Sequence, residues 1–202
     1  MAIAKIVVTR GDGSTDEFDG NGAAPLKLRD GDIVSFEVAT LPPVAINNNR
    51  FFPQEIILGA QASHKKYWPR GPYVSVTLAQ WALESGYGKH QSGLNNYFGI
   101  QANKTQLEAG QYTVRWSREE DESGASEPKD EAFANYASIA DGFDAHAQLL
   151  TSPHYELCVH AQSPEAYCAA LKECGYATAH NYVAELLSII KVHNLGQYDQ
   201  RF

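Results

Sequence analysis

Residues 81–101, WALESGYGKHQSGLNNYFGIQ, hold a single carboxylate, Glu84. It stands where an apolar helical run gives way to a glycine-punctuated, aromatic-rich loop. Upstream, Pro72 opens a helix in which Val74, Leu78, Trp81 and Ala82 form one stripe, while Val76, Ala79 and Leu83 fill much of the remaining circumference. A helix apolar on most sides is a buried one, and Gly86 and Gly88 end it. Glu84 then falls in the last turn, where the helix dipole disfavours negative charge. Trp81, Tyr87, Tyr97 and Phe98 are placed to wall it from water, and desolvation also favours the neutral acid. Both effects raise its pKa. A carboxylic acid that keeps its proton near neutral pH is what glycosidic cleavage needs as a general acid. The plainer alternative is a helix-end glutamate facing solvent, as most glutamates do. The following loop weighs against it: Gly86, Gly88, Gly93 and Gly99 allow close backbone approach to a ligand, and Asn95, Asn96, Tyr97 and Gln101 offer amide and phenol groups suited to sugar hydroxyls.

Working outward, the first 45 residues read as β structure. KIVVT and DIVSFEV are short β-branched strands, with turn chemistry in GDGSTDEFDGNG and RDGD between them. LPPVAINNNR then reads as a linker. This divides the chain into a small β module over residues 1–45 and a larger domain over 46–202. So short a module makes a marginal core alone.

From Phe52 the pattern turns helical. Ile56, Ile57, Ala60, His64 and Tyr67 follow Pro53 at helical spacing, before the helix of Glu84 begins. Thr113–Trp116 and Phe133–Tyr136 are two strands around a charged turn. Three helices follow, over roughly 139–151, 164–174 and 180–193, the second capped by Ser163 and ended by Gly175. The larger domain is therefore α+β, mostly helical with one β-hairpin.

The net charge of −8 argues against nonspecific nucleic-acid binding and against charge attraction to an anionic surface. No apolar run reaches the roughly 20 residues of a membrane helix, and the N-terminus lacks the pattern of a secretory signal. Cys158, Cys168 and Cys174 cannot all pair internally. Cys168 and Cys174 share a helix at about 9 Å rise, beyond disulfide reach, although Cys158 can bridge to either. His154 and His160 nearby lack zinc-ligand spacing. Free or buried thiols, with no metal and no cofactor, are the expectation.

The stretch LAQWALESGYGK, with NNYFGIQ after it, resembles the glucosaminidase family of bacterial and phage peptidoglycan hydrolases, whose pattern reads approximately L-A-Q-A-A-L-E-S-G-W-G-K followed by N-L-F-G-I-K. FANYASIADGFDAH and GYATAHNY resemble two later family segments, so the likeness covers roughly Phe52 to Leu195. It implies a lysozyme-like fold, with a helical lobe, a β-hairpin lobe and a groove between, and cleavage of the β-1,4 bond after N-acetylglucosamine. Carried onto this sequence, the catalytic acid is Glu84, the active-site tyrosine is Tyr176, Tyr182 supports the site, and Asn96, Phe98 and Gly99 are loop residues. A second carboxylate belongs on the hairpin. Among Glu119, Glu120, Asp121 and Glu122, alignment on Gly124 and Phe133 favours Glu120. Substrate contacts are expected from Trp81, Tyr87, Asn96, Tyr97, Phe98, Gly99, Gln101 and Tyr182, with Trp81, Tyr97, Phe98 and Tyr176 stacking on sugar rings. The sequence departs from the family at Tyr87, Gln101, Ala134 and Ala179–His180, where the pattern has tryptophan, lysine, arginine and Asp-Pro.

The implied partner is the peptidoglycan glycan strand, met at the cell wall. Delivery by a phage particle or a secretion apparatus, through the N-terminal module, is the accompanying expectation. A muramidase or lytic transglycosylase on the same scaffold, and a non-catalytic wall-binding module, are the alternatives.

Overall fold

The computed structural model describes residues 3–19, 28–38, 50–120 and 126–199. The chain separates into two compact units, Met1–Ile46 and Asn47–Phe202.

The first unit holds a three-stranded antiparallel sheet in the order β2-β1-β3, from β1 (Ile3–Thr9), β2 (Thr15–Asp19) and β3 (Ile33–Val38). β2 falls inside a segment whose composition suggested only a turn. The turn itself is confined to the residues before Thr15: Asp12 accepts a hydrogen bond from the Ser14 N–H at 2.9 Å, and TDEFD then pairs with β1, Ile6 opposite Phe18 and Val8 opposite Asp16. Arg10 bonds Asp16 and Asp32, both at 2.6 Å, tying the hairpin to the approach to β3.

The second unit is built around one helix. α1 (Gln54–Tyr67) precedes α2 (Val74–Ser85), in which ten of twelve residues are buried. α2 packs against α1, α6 (Pro164–Glu173), α7 (Tyr182–Val192) and a terminal 3-10 turn, Leu195–Tyr198. Phe52, Leu78, Trp81, Phe143, Leu150, Leu171 and Leu186 form the centre of the core. Each fully buried side chain of this size contributes about 1.5–3 kcal/mol of transfer free energy. α3 (Lys104–Glu108) is a single turn closed by a capping box between Asn103 and Gln106, which the sequence reading passed over.

β4 (Tyr112–Glu120) and β5 (Ser126–Ala134) form the hairpin, paired antiparallel from Tyr112–Ala134 out to Glu120–Ser126. β4 is longer than its β-prone core suggested, because ladder hydrogen bonds carry it into the charged segment, and the return strand lies earlier than the expected Phe133–Tyr136, ending at Ala134. α4 (Ile139–Leu150), capped by Ser138, lies along α1, where Lys66 bonds Asp144 at 2.7 Å. α5 (Glu156–Val159) leads to α6. Cys158, Cys168 and Cys174 are free thiols, the first two buried.

Candidate active site

Glu84 occupies the last turn of α2. The helix stops one residue past Ser85 because Gly86 takes the left-handed conformation (φ 57°) and donates its N–H to the Ala82 carbonyl. The chain then doubles back, and Glu84 opens into a groove of about 290 Å³ lined with His90, Gln91, Ser92, Arg115, Trp116 and Phe133.

Glu84 is exposed to solvent along that groove. Yet the protein mass on its other sides pushes the carboxyl pKa up, and the nearby Tyr182 hydroxyl pulls it partly back. The two observations fit a side chain open on one flank only. Removal of water from the remaining flanks penalises the charged form.

The walls of the site differ from the expected ones. Trp81 is 1% exposed and Phe98 6%, and both lie in the core. Trp81 packs against Phe52 and edge-on to Tyr97, while Phe98 stacks on His146. Neither offers a face to a sugar, because a stripe on a buried helix and an aromatic in a tight loop turn inward. Asn96, wholly buried, is likewise a loop anchor rather than a substrate contact: its amide donates to the Ile100 and Ala134 carbonyls at 2.8 and 2.9 Å and accepts from the Ile100 N–H at 3.1 Å. Gly93 serves the same internal packing. A Cβ on Gly93 would collide with the Ala134 carbonyl of the hairpin.

Tyr97 is 8% exposed, its hydroxyl accepting from Gln91 at 3.1 Å. Tyr87 turns away from the groove, in edge contact with Phe52, its hydroxyl 3.1 Å from His193 Nε2. Gly99 is exposed, and Gln101 bridges to Phe133 and bonds Glu131 at 3.2 Å.

Tyr182, expected to meet substrate, is 3% exposed, its hydroxyl accepting from Gln80 Nε2 at 3.1 Å. Tyr176 stacks on it with centroids 6.0 Å apart. The Tyr176 hydroxyl is buried, with no hydrogen-bond partner among the described residues. Burial first, then the neighbouring Tyr182 and Glu84, hold it well above the usual phenol range. The loop that carries Tyr176 is fastened by Lys172, whose ammonium donates to the carbonyls of Ala177, Thr178 and Ala179 at 3.1, 2.6 and 2.8 Å. The backbone of Glu120 ends β4, but its side chain and that of Glu119, with Asp121 and Glu122 entire, lie outside the described residues.

None of the six residues that line the groove beside Glu84 was singled out as a site residue from the sequence, and two of them stand out. Trp116 is 60% exposed beside Glu84 and presents a large aromatic surface to solvent. Arg115 clasps the hairpin to the loop after α2, donating to the Gln91 and Ser92 carbonyls, each at 3.1 Å. The only signal for either was residence on a β-prone run, which does not reveal what the strand faces.

A helical lobe, a hairpin lobe and an acid opening into a groove define an α+β, lysozyme-like glycoside hydrolase domain. The chain belongs to the glucosaminidase family, described as mannosyl-glycoprotein endo-beta-N-acetylglucosaminidase, which matches residues 60–195. Among curated relatives, exo-glucosaminidase LytG of Bacillus subtilis is 26% identical over 163 residues, 77% of this chain and 55% of the relative. Peptidoglycan hydrolase FlgJ of Salmonella typhimurium is 35% identical over 123 residues, 57% of this chain and 38% of the relative. The chain thus spans about half, or less, of the length of these relatives. The catalytic domain of the autolysin Auto from Listeria monocytogenes superimposes with a TM-score of 0.62 at 29% identity, covering 72% of this chain and 84% of that one.

Proposed function

We propose that the protein hydrolyses the β-1,4 bond after N-acetylglucosamine in the glycan strands of bacterial peptidoglycan, with Glu84 as general acid. The observation that carries this reading is the placement of Glu84: a carboxyl at the end of a buried helix, desolvated on its protein side and open to a groove on the other. Family membership and the names of the relatives support the same substrate class.

Glu84 donates its proton to the leaving glycosidic oxygen. Charge then develops on the sugar ring, and its opposite face needs a second group. Either Glu120 activates water, which inverts the anomeric centre, or the 2-acetamido group of the substrate attacks, which retains it. Tyr176 and Tyr182 back the acid from the core side. Trp116 is the platform on which a pyranose ring would stack. The site of action is the cell wall, reached by a phage particle or a secretion apparatus.

The test is digestion of purified peptidoglycan, followed by reduction and mass spectrometry of the new ends. Reduced N-acetylglucosamine is the expected product. Reduced N-acetylmuramic acid would assign the alternate bond, and anhydro ends would assign a transglycosylase.

A further inference from the structure

The groove of Glu84 also carries a fixed positive charge. Arg115, on β4, lines the same space of about 290 Å³. Among the described lining residues it is the only permanent cation. Its guanidinium is exposed yet tethered: Nε donates to the Ser92 carbonyl and Nη2 to the Gln91 carbonyl, each at 3.1 Å. Both partners are backbone groups, so neither bond neutralises the charge. Glu131, opposite Arg115 in the ladder, accepts from Gln101 at 3.2 Å.

The two bonds use Nε and one proton of Nη2. The Nη1 protons and the second Nη2 proton remain as donors, in the planar fork that matches a carboxylate. Because the side chain is already held in place, a ligand that binds it freezes little further motion.

The substrate brings such a ligand to this place. This step rests on the reading that the bond after N-acetylglucosamine is cut with Glu84 as acid. The oxygen that Glu84 protonates is then O4 of N-acetylmuramic acid. O3, on the adjacent carbon, carries the lactyl group, whose carboxyl is either free or extended by an acidic stem peptide. The anionic substituent thus enters the groove next to the reacting oxygen. We infer that Arg115 is a specificity-determining residue: it binds a carboxylate of the muramoyl substituent and so selects acidic glycan strands over neutral ones. A clasp between hairpin and loop, its plainer role, would act on every substrate alike.

The test varies the charge of the substrate. Soluble strands that keep their stem peptides, and strands stripped to the lactyl acid, are each compared with the same strands after their carboxyls are capped as neutral amides. Initial rates give kcat/KM, beside thermal melts. At low salt the wild type should cleave uncapped strands about fivefold more efficiently than capped ones, as one charge pair at an open site implies. The preference should shrink as salt rises. Arg115→Gln should abolish it, and Arg115→Lys, which keeps the charge without the fork, should retain part of it. A preference within the stripped pair assigns the lactyl carboxylate, and one confined to the peptide-bearing pair assigns the acid of the stem.

Equal wild-type rates within both pairs would overturn the proposal. So would an Arg115→Gln variant that keeps the full preference, or that loses activity equally on capped and uncapped strands. Should that variant fail to fold, Arg115→Lys and the salt series decide, and a wild-type preference indifferent to salt would count against the role. Glu84→Gln and end-group analysis keep the two ideas apart. Cleavage by Glu84→Gln, or N-acetylmuramic acid at the new reducing ends, would refute the underlying reading. N-acetylglucosamine ends without a charge preference would refute only the role of Arg115.

Discussion

The ring of His146 lies against that of Phe98, centroids 3.9 Å apart and planes 16° from parallel. Both ring nitrogens of His146 are buried, with no hydrogen-bond partner among the described residues. Burial accordingly lowers its pKa from 6.5 to about 3. Phe98 belongs to the loop after α2 and His146 stands edge-on to Tyr176, so the neutral imidazole is part of what supports the site.

Acid should therefore loosen the fold through His146. Between pH 6.5 and about 3 the unfolded chain takes up a proton that the folded chain refuses, so stability falls as pH falls, by up to about 1.4 kcal/mol per pH unit. Glu84 and Asp199, whose carboxyls are held above their ordinary values, act in the opposite sense. The comparison with His146→Gln isolates the histidine. Melting temperatures of the wild type should drop more steeply than those of the variant between pH 7 and pH 4. Parallel curves would contradict the assignment.

The two tryptophans of the region should separate cleanly. Trp81 is 1% exposed and Trp116 60%. Trp81→Ala should destabilise the domain by about 3–5 kcal/mol. Trp116→Ala should leave the melting temperature nearly unchanged and raise KM for glycan several-fold, as the loss of a stacking surface worth about 1 kcal/mol implies. Thermal melts beside initial rates distinguish the cases. A Trp116→Ala variant with an unaltered KM would remove it from the substrate path.

Lys172 holds three successive carbonyls of the loop after Tyr176. Lys172→Met should cost about 1–2 kcal/mol of stability. It should also lower kcat more than it changes KM, because in the proposed mechanism Tyr176 backs the acid rather than holding substrate. Chemical denaturation and steady-state kinetics on the same preparation check both arms.

Much of this was legible along the chain. α2, its glycine stop and the placing of Glu84 in the last turn depend on local periodicity and capping, which sequence carries directly. So does the cap of α6, at Ser163. What stayed hidden depends on contacts between distant segments. Trp81 and Trp116 are the same residue type on elements both read from the sequence, but which one meets solvent is decided by packing: α2 is enclosed by α1, α6 and α7, while β4, among the described residues, pairs with β5 alone. Asn96 advertised an amide for sugars, but the nearby Ala134 carbonyl claims it. The strand β2 was obscured because Asp, a residue of its turn, recurs at positions 16 and 19 in the segment that pairs.

The most direct test of the central claim is the release of glycan fragments from purified peptidoglycan by the wild type and by Glu84→Gln, at equal concentration of folded protein. Loss of the proton donor should reduce the rate by at least about a hundredfold, with the melting temperature preserved. Release by Glu84→Gln at the wild-type rate would contradict the account.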